Sequence, residues 1–279
     1  MFSRKQSRAS LAVQYAILIA GVLFAVFPIY FVVQASLRPG QQLYSTNLQL
    51  WPTDATLENY RYVWNELPLP TWLWNSVQVA GITSIASLIV SISAGYALSR
   101  FRFRGRGALL NSLLALQAFP ALLALPAFYL ILLRMQLLNT HAGLILIYSC
   151  GTIAFNIWNI KGYFDTIPFE LEEAAMVDGA TPTQVFRFIM LPLSRPILAV
   201  TALIGFLGGF SDFILANTVL FNETLYTAPV GIWTLQEGYR NPWGWFAAAS
   251  LILATPITIL FIYLQRHLIS GLTAGGVKG

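Results

Sequence analysis

Residues 11–36 form a run of 26 positions with no charged side chain, and five comparable runs, charge-free except for Asp212, follow at about 73–98, 108–133, 142–160, 197–215 and 245–264. Each approaches or exceeds the roughly 20 helical residues that cross a bilayer core. Backbone polar groups in lipid must be satisfied within the segment, so such runs are read as helices. Only 10% of the residues are charged, against about 25% in a soluble domain. The expected fold is an all-α membrane protein with six transmembrane helices. Arg4, Lys5 and Arg8 before the first run resemble the start of a signal peptide, and Val33-Gln34-Ala35 resembles a cleavage site. A signal peptide's apolar core is only about 7–15 residues, so the run reads as a retained span.

The surplus of 16 Lys and Arg over 11 Asp and Glu could suggest a nucleic-acid partner, but the basic residues are scattered among the loops. With the N-terminus inside, 12 of the 16 fall in inner segments and four, Arg38, Arg61, Arg134 and Arg240, in outer ones. This is the positive-inside pattern, and it puts both termini and residues 164–196 in the cytoplasm. Arg100, Arg102, Arg104 and Arg106 beside the second span read as an anchor for anionic lipid headgroups.

Pro120 and Pro126 predict a kink or local unwinding in the third span. Gly205 and Gly209 make a small-xxx-small pair for close helix approach. Asp212 is the sole acid in any apolar run. It reads either as part of a translocation pathway, with Asn156 a second pathway candidate, or as a capped packing residue. Cys150, the single cysteine, lies in an apolar run and is expected to pack there; neither a disulfide nor a metal site is predicted.

Residues 164–196, FDTIPFELEEAAMVDGATPTQVFRFIMLPLSRP, are the longest polar interruption on the expected inner side. Pro168 suits a first helical turn, with Thr166 or Ile167 as cap and Glu170, Glu172 and Glu173 near the positive helix end. Gly179 fits a left-handed C′ residue. Thr181, Pro182 and Gln184 form a capping-box pattern for a second helix that ends at Leu191-Pro192. On the first helix Leu171, Ala174 and Ala175 share a side, with Glu170 and Glu173 on an adjoining edge. Local physics leaves two readings, a docking element or an interfacial loop.

Glu173-Ala174-Ala175, three residues, Gly179, nine residues, Ile189, one residue and Leu191-Pro192 resemble the EAA motif of ABC importer permeases at every named position. The resemblance implies a coupling helix that enters a cleft of a cytoplasmic ATPase subunit, with Glu172, Glu173, Ala174, Ala175, Asp178 and Gly179 as its contact set and Glu173 meeting a basic group there. The tail, Gly271, Leu272, Thr273, Ala274, Gly275, Gly276, Val277, Lys278 and Gly279, is too rich in glycine for a stable helix. It is similar to the tail of maltose/trehalose-type carbohydrate permeases (MalG-like), where it reaches between the two ATPase copies. Pro39-Gly40, residues 225–231 and Gln265-Arg266 extend the similarity along the chain.

That family implies a type I importer permease that couples ATP hydrolysis elsewhere to alternating access for an oligosaccharide. Its partners would be a second permease chain (MalF-like), two ATPase subunits (MalK-like) that bind ATP and Mg, and an extracytoplasmic sugar-binding protein. The outer loop with Glu237, Gly238, Tyr239, Arg240, Asn241 and Pro242 resembles the segment that faces the binding protein. No GxxxxGK[ST] loop is present, so no nucleotide cofactor is expected in this chain. An ion-coupled secondary transporter acting alone is the alternative, with Asp212 as its one candidate ion site. An intramembrane enzyme lacks support: HExxH and GxSxG are absent, and His141 and His267 fall at opposite faces.

Overall fold

The computed structural model describes residues 8–40, 51–236 and 242–275, all helix and loop with no strand among them. Four helices are long and apolar enough to cross a membrane: α1 (Arg8–Leu37), α3 (Leu69–Arg100), α6 (His141–Phe164) and α13 (Trp243–Gly275). Two bent pairs bring the total to as many as six. In the first, α4 (Arg106–Ala118) gives way at Phe119-Pro120 to a short 3-10 turn (Ala121–Ala124) and α5 (Leu125–Arg134), with a bend of 91°. Proline at 120 and 126 denies two N–H donors to the helix ladder, so the expected kink is a full break.

The second bend, 73°, lies at Ser194 between residues 182–193 and α10 (Arg195–Ser211). Residues 182–193 comprise α8 (Pro182–Val185), a π turn (Phe186–Met190) and α9 (Leu191–Leu193). Pro192 can neither donate to the ladder nor tolerate a carbonyl four residues back, and the widened turn lies just ahead of it. The helix thus runs past Leu191-Pro192 to Leu193. α13 also exceeds expectation. Gly271, Leu272, Thr273, Ala274 and Gly275 continue the helix where an extended tail was expected. Adding a residue to an existing helix needs no new nucleus, so a glycine penalty of about 1 kcal/mol each is tolerated. Gly276 to Gly279 lie outside the described residues.

The chain divides into two compact units. In the first (Met1–Leu69 with Thr234–Leu253), α2 (Glu58–Asn65) is tied to the end of α1. Asn59 Nδ2 donates to the carbonyls of Ser36 (3.0 Å) and Arg38 (2.9 Å), and Tyr62 stacks on Trp245.

The second unit (Pro70–Trp233 with Ala254–Gly279) has a core at each end. One gathers Val79, Leu132, Leu144, Ile147, Ala216 and Val230. The other, beside residues 164–196, holds Ile160, Phe164, Ile167 and Met190 with Tyr96 and Phe186 against them. Between them α3 and α10 pack through small residues. A Cβ on Gly205 would lie 3.5 Å from Ser84 Cα, and one on Gly209 3.3 Å from Ala80 Cα. Ser84 Oγ donates to the Ala202 carbonyl at 2.8 Å. The glycine pair at 205 and 209 thus admits α3, each glycine facing a small residue four positions from the next.

Candidate functional site

Residues 164–196 fold as a helix, a tight turn and a second helix. The first, α7, spans Glu170–Val177 without a side-chain cap. Neither Thr166 nor Ile167 caps it, because the helix begins later than expected, with Phe169 at the N-cap position; the Thr166 hydroxyl donates to the Tyr163 carbonyl at 2.7 Å. Its C-terminus closes as a Schellman motif. Gly179 has φ +90°, its N–H donates to Met176 (3.0 Å), and the Ala180 N–H donates to Ala175 (2.9 Å). The capping box follows: Thr181 N–H donates to Gln184 Oε1 at 2.8 Å, and the Gln184 N–H donates to Thr181 Oγ1.

The two adjacent glutamates point in opposite senses. Glu173 is exposed, as are Ala174, Asp178 and Gly179, while Ala175 is half-buried. Val177, 87% exposed, extends the open surface with Leu171 and Met176. Glu172, grouped by sequence with the ATPase-facing residues, is only 3% exposed. Its Oε1 accepts from Arg100 Nε in an ion pair, and its Oε2 accepts from Tyr96 Oη at 2.9 Å. Arg100 also donates through Nη2 to the Ile167 carbonyl at 3.0 Å and lies over the Phe169 ring. Arg100 is therefore not a headgroup anchor; its side chain is buried, whereas Arg102 and Arg104 are exposed.

A second strap lies alongside. Ser99 Oγ donates to Asp165 Oδ1 at 2.7 Å, and Lys161 Nζ donates to Oδ2 at 2.5 Å. Partial burial would raise the Asp165 pKa, but the bonds from Lys161 and Ser99 and the charges of Lys161 and Arg106 outweigh it and hold the carboxyl below its ordinary range. Tyr96, Arg100 and Ser99 carry no signal in the sequence beyond a basic residue at a span end, since their partners lie 66 to 76 positions away.

Of the pathway candidates, Asp212 breaks the helix between α10 and α11 (Ile214–Val219). Its Oδ1 accepts from Tyr148 Oη (2.6 Å) and from the backbone N–H groups of Leu215 (3.0 Å) and Ala216 (3.1 Å), the pattern of a helix cap. Asn156 is buried, and neither its Oδ1 nor its Nδ2 has a hydrogen-bond partner among the described residues. Cys150 is exposed on α6 and does not pack inside. No cluster of three or more metal-ligating side chains occurs among the described residues.

At the far end of the second unit, residues 219–231 are stapled in place. Trp72 Nε1 donates to the Glu223 carbonyl (3.1 Å), Asn75 Nδ2 to those of Thr224 (2.9 Å) and Tyr226 (3.0 Å), and the Ala228 N–H to Ser76 Oγ (2.8 Å). Gly231, in α12 (Ala228–Trp233), sits directly against the Trp72 ring. Of the residues expected to face a binding protein, Pro242 immediately precedes α13; Glu237, Gly238, Tyr239, Arg240 and Asn241 lie outside the described residues.

Comparison with known proteins fits this geometry. The chain is 42% identical over 273 residues to the maltose/maltodextrin transport system permease protein MalG of Vibrio vulnificus strain YJ016, covering 91% of each. It is 40% identical to the protein of that name from Escherichia coli K12, covering 100% of this chain and 99% of the relative. Among solved structures, a chain of a bacterial ABC transporter involved in the import of the polysaccharide alginate superposes with a TM-score of 0.80 at 24% identity, over 95% of this chain and 98% of that one. The inward-facing MetNI methionine ABC transporter gives 0.57 at 18% identity, over 72% and 95%. These likenesses show the fold to be that of an ABC importer permease. Residues 62–273 match the family described as binding-protein-dependent transport system inner membrane component. The chain belongs to that family, as a multi-pass protein of the bacterial inner membrane.

Proposed function

We propose that this chain is a permease subunit of an ATP-driven importer for maltose-type oligosaccharides and that it converts work done on residues 164–196 into alternating access. The similarity to maltose permeases along the whole chain carries this reading. The second permease chain, the two ATPase subunits holding ATP and Mg, and the extracytoplasmic sugar-binding protein are its partners. Residues 164–196 then face the cytoplasm. Glu173 presents its charge to a basic group of an ATPase subunit, and Ala174 and Gly179 keep the approach shallow. Residues 237–242 face the binding protein, and the end of α13 with residues 276–279 reaches the ATPase pair. The chain itself catalyses nothing. Asp212 and its neighbours offer too few ionisable groups for an ion-coupled carrier.

The test is Glu173→Lys in the reconstituted complex. Sugar-stimulated ATP hydrolysis and uptake should be abolished while the chain inserts normally; uptake at the wild-type rate removes the assignment. Running the wild-type assay across maltose, trehalose and longer maltodextrins identifies the sugar.

A further inference from the structure

Chain connectivity alone delivers a push on α7 to α6, which precedes it, and to α10, which follows it. It does not reach α3. We propose that Arg100 and Tyr96 are positioning residues that lock Glu172, and with it the coupling helix, to the end of α3, so that this span moves with the helix as one body. The inference rests on the functional reading of residues 164–196 given above.

Both carboxylate oxygens of Glu172 are engaged by α3, one by Arg100 and one by Tyr96. The guanidinium reaches past the carboxylate to the Ile167 carbonyl, in the chain just before α7, so one side chain of α3 grips that segment at two points. Exposed ion pairs exchange readily with water and hold little. This one is buried on both sides, and removing either partner would strand a charge away from water. The surroundings leave no slack. Tyr96 packs against Phe164 and Phe186, with ring centroids 5.7 and 4.8 Å away. A Cβ on Gly95 would lie 3.0 Å from Ile160 Cγ2 and 3.2 Å from the Lys161 backbone nitrogen, which puts α3 against the end of α6. The Ser99 bond to Asp165 closes the same seam one turn further along. From there α3 continues to its contact with α10 at Ser84 and Ala80, so a displacement of α7 is transmitted along the small-residue seam.

The experiment uses the complete reconstituted complex and two readouts. The first is sugar imported per ATP hydrolysed. Glu172→Gln and Arg100→Gln should lower that ratio roughly five- to hundredfold, the range of ordinary coupling free energies. Arg100→Lys, which keeps the charge, should recover part of it, and Tyr96→Phe should give a smaller fall. The second is the spin–spin distance between labels at Ser93→Cys on α3 and Glu170→Cys on α7, both exposed, in a Cys150→Ser background. With wild-type Glu172 this distance should stay constant between nucleotide-free and nucleotide-bound complexes. A change of more than about 3 Å, beyond small interface shifts, overturns the lock. An unchanged transport ratio in Glu172→Gln overturns it as well. If Glu172→Gln fails to assemble, Tyr96→Phe and the wild-type distance still decide. Normal uptake by Glu173→Lys would instead sink the coupling reading itself, whereas loss in Glu173→Lys with full function in Glu172→Gln sinks only the lock.

Discussion

Gly231→Ala places one methyl group where the structure has no room for it. An ideal Cβ there would lie 2.1 Å from Trp72 Cδ2 and 2.2 Å from Cε3, against the roughly 3.5–4.0 Å of an ordinary carbon contact. Trp72 is 1% exposed, and its ring nitrogen is bonded to the Glu223 carbonyl, so the indole cannot swing into open space. Overpacking of this kind costs about 1–3 kcal/mol. Stranding the buried indole N–H adds about 1–3 kcal/mol. The better helix propensity of alanine returns about 1 kcal/mol. The expected loss is therefore about 1–5 kcal/mol, a fall of roughly 3–15 °C, at about 3 °C per kcal/mol, in the temperature at which half the detergent-solubilised protein leaves the monodisperse peak. Gly208→Ala is the control, because nothing lies within 4 Å of its Cβ position. Adding Trp72→Leu to Gly231→Ala should cost less than the two single losses combined, since the smaller side chain makes room. Equal heat resistance of Gly231→Ala and wild type, or equal damage from Gly208→Ala, would refute the packing described.

Three further outcomes follow from the same geometry. Asp212→Asn keeps an acceptor oxygen for Tyr148 and the α11 backbone and should transport normally, whereas Asp212→Ala should lose about 1–2 kcal/mol of thermal stability; loss of uptake in a well-folded Asp212→Asn would show that the charge is needed. Gly179→Ala forces a side chain into φ +90° and should destabilise the turn between α7 and α8 by about 1 kcal/mol, read as faster proteolytic cleavage there. Val177→Cys, in a Cys150→Ser background and with peripheral subunits stripped away, should react with a membrane-impermeant maleimide in inside-out vesicles and not in right-side-out ones. The reverse labelling would contradict the orientation.

Signals confined to a few adjacent residues were legible in the sequence. Gly179, Thr181, Pro182 and Gln184 specified the turn and capping box because each acts on backbone groups within one helical turn. The spans were legible because lipid leaves a long apolar run few alternatives. Pro120 and Pro126 announced a kink or local unwinding, but the full break and its angle depend on the 3-10 turn up to Ala124, which no single residue encodes. The sense of Glu172 was not legible. It and Glu173 are neighbours of identical chemistry, and what separates them is Arg100, 72 positions earlier, at a span end where a basic residue also suits a lipid headgroup. The exposure of Cys150 escaped notice for a similar reason, since an apolar neighbourhood does not distinguish a packed face from one turned outward in a membrane.

The most direct test of the central claim is sugar uptake into proteoliposomes that contain this chain with its partner permease chain, the ATPase subunits and the binding protein. Uptake should require ATP and stop when the ATPase subunits are omitted. Accumulation of sugar by the chain alone, driven by an ion gradient, would contradict it.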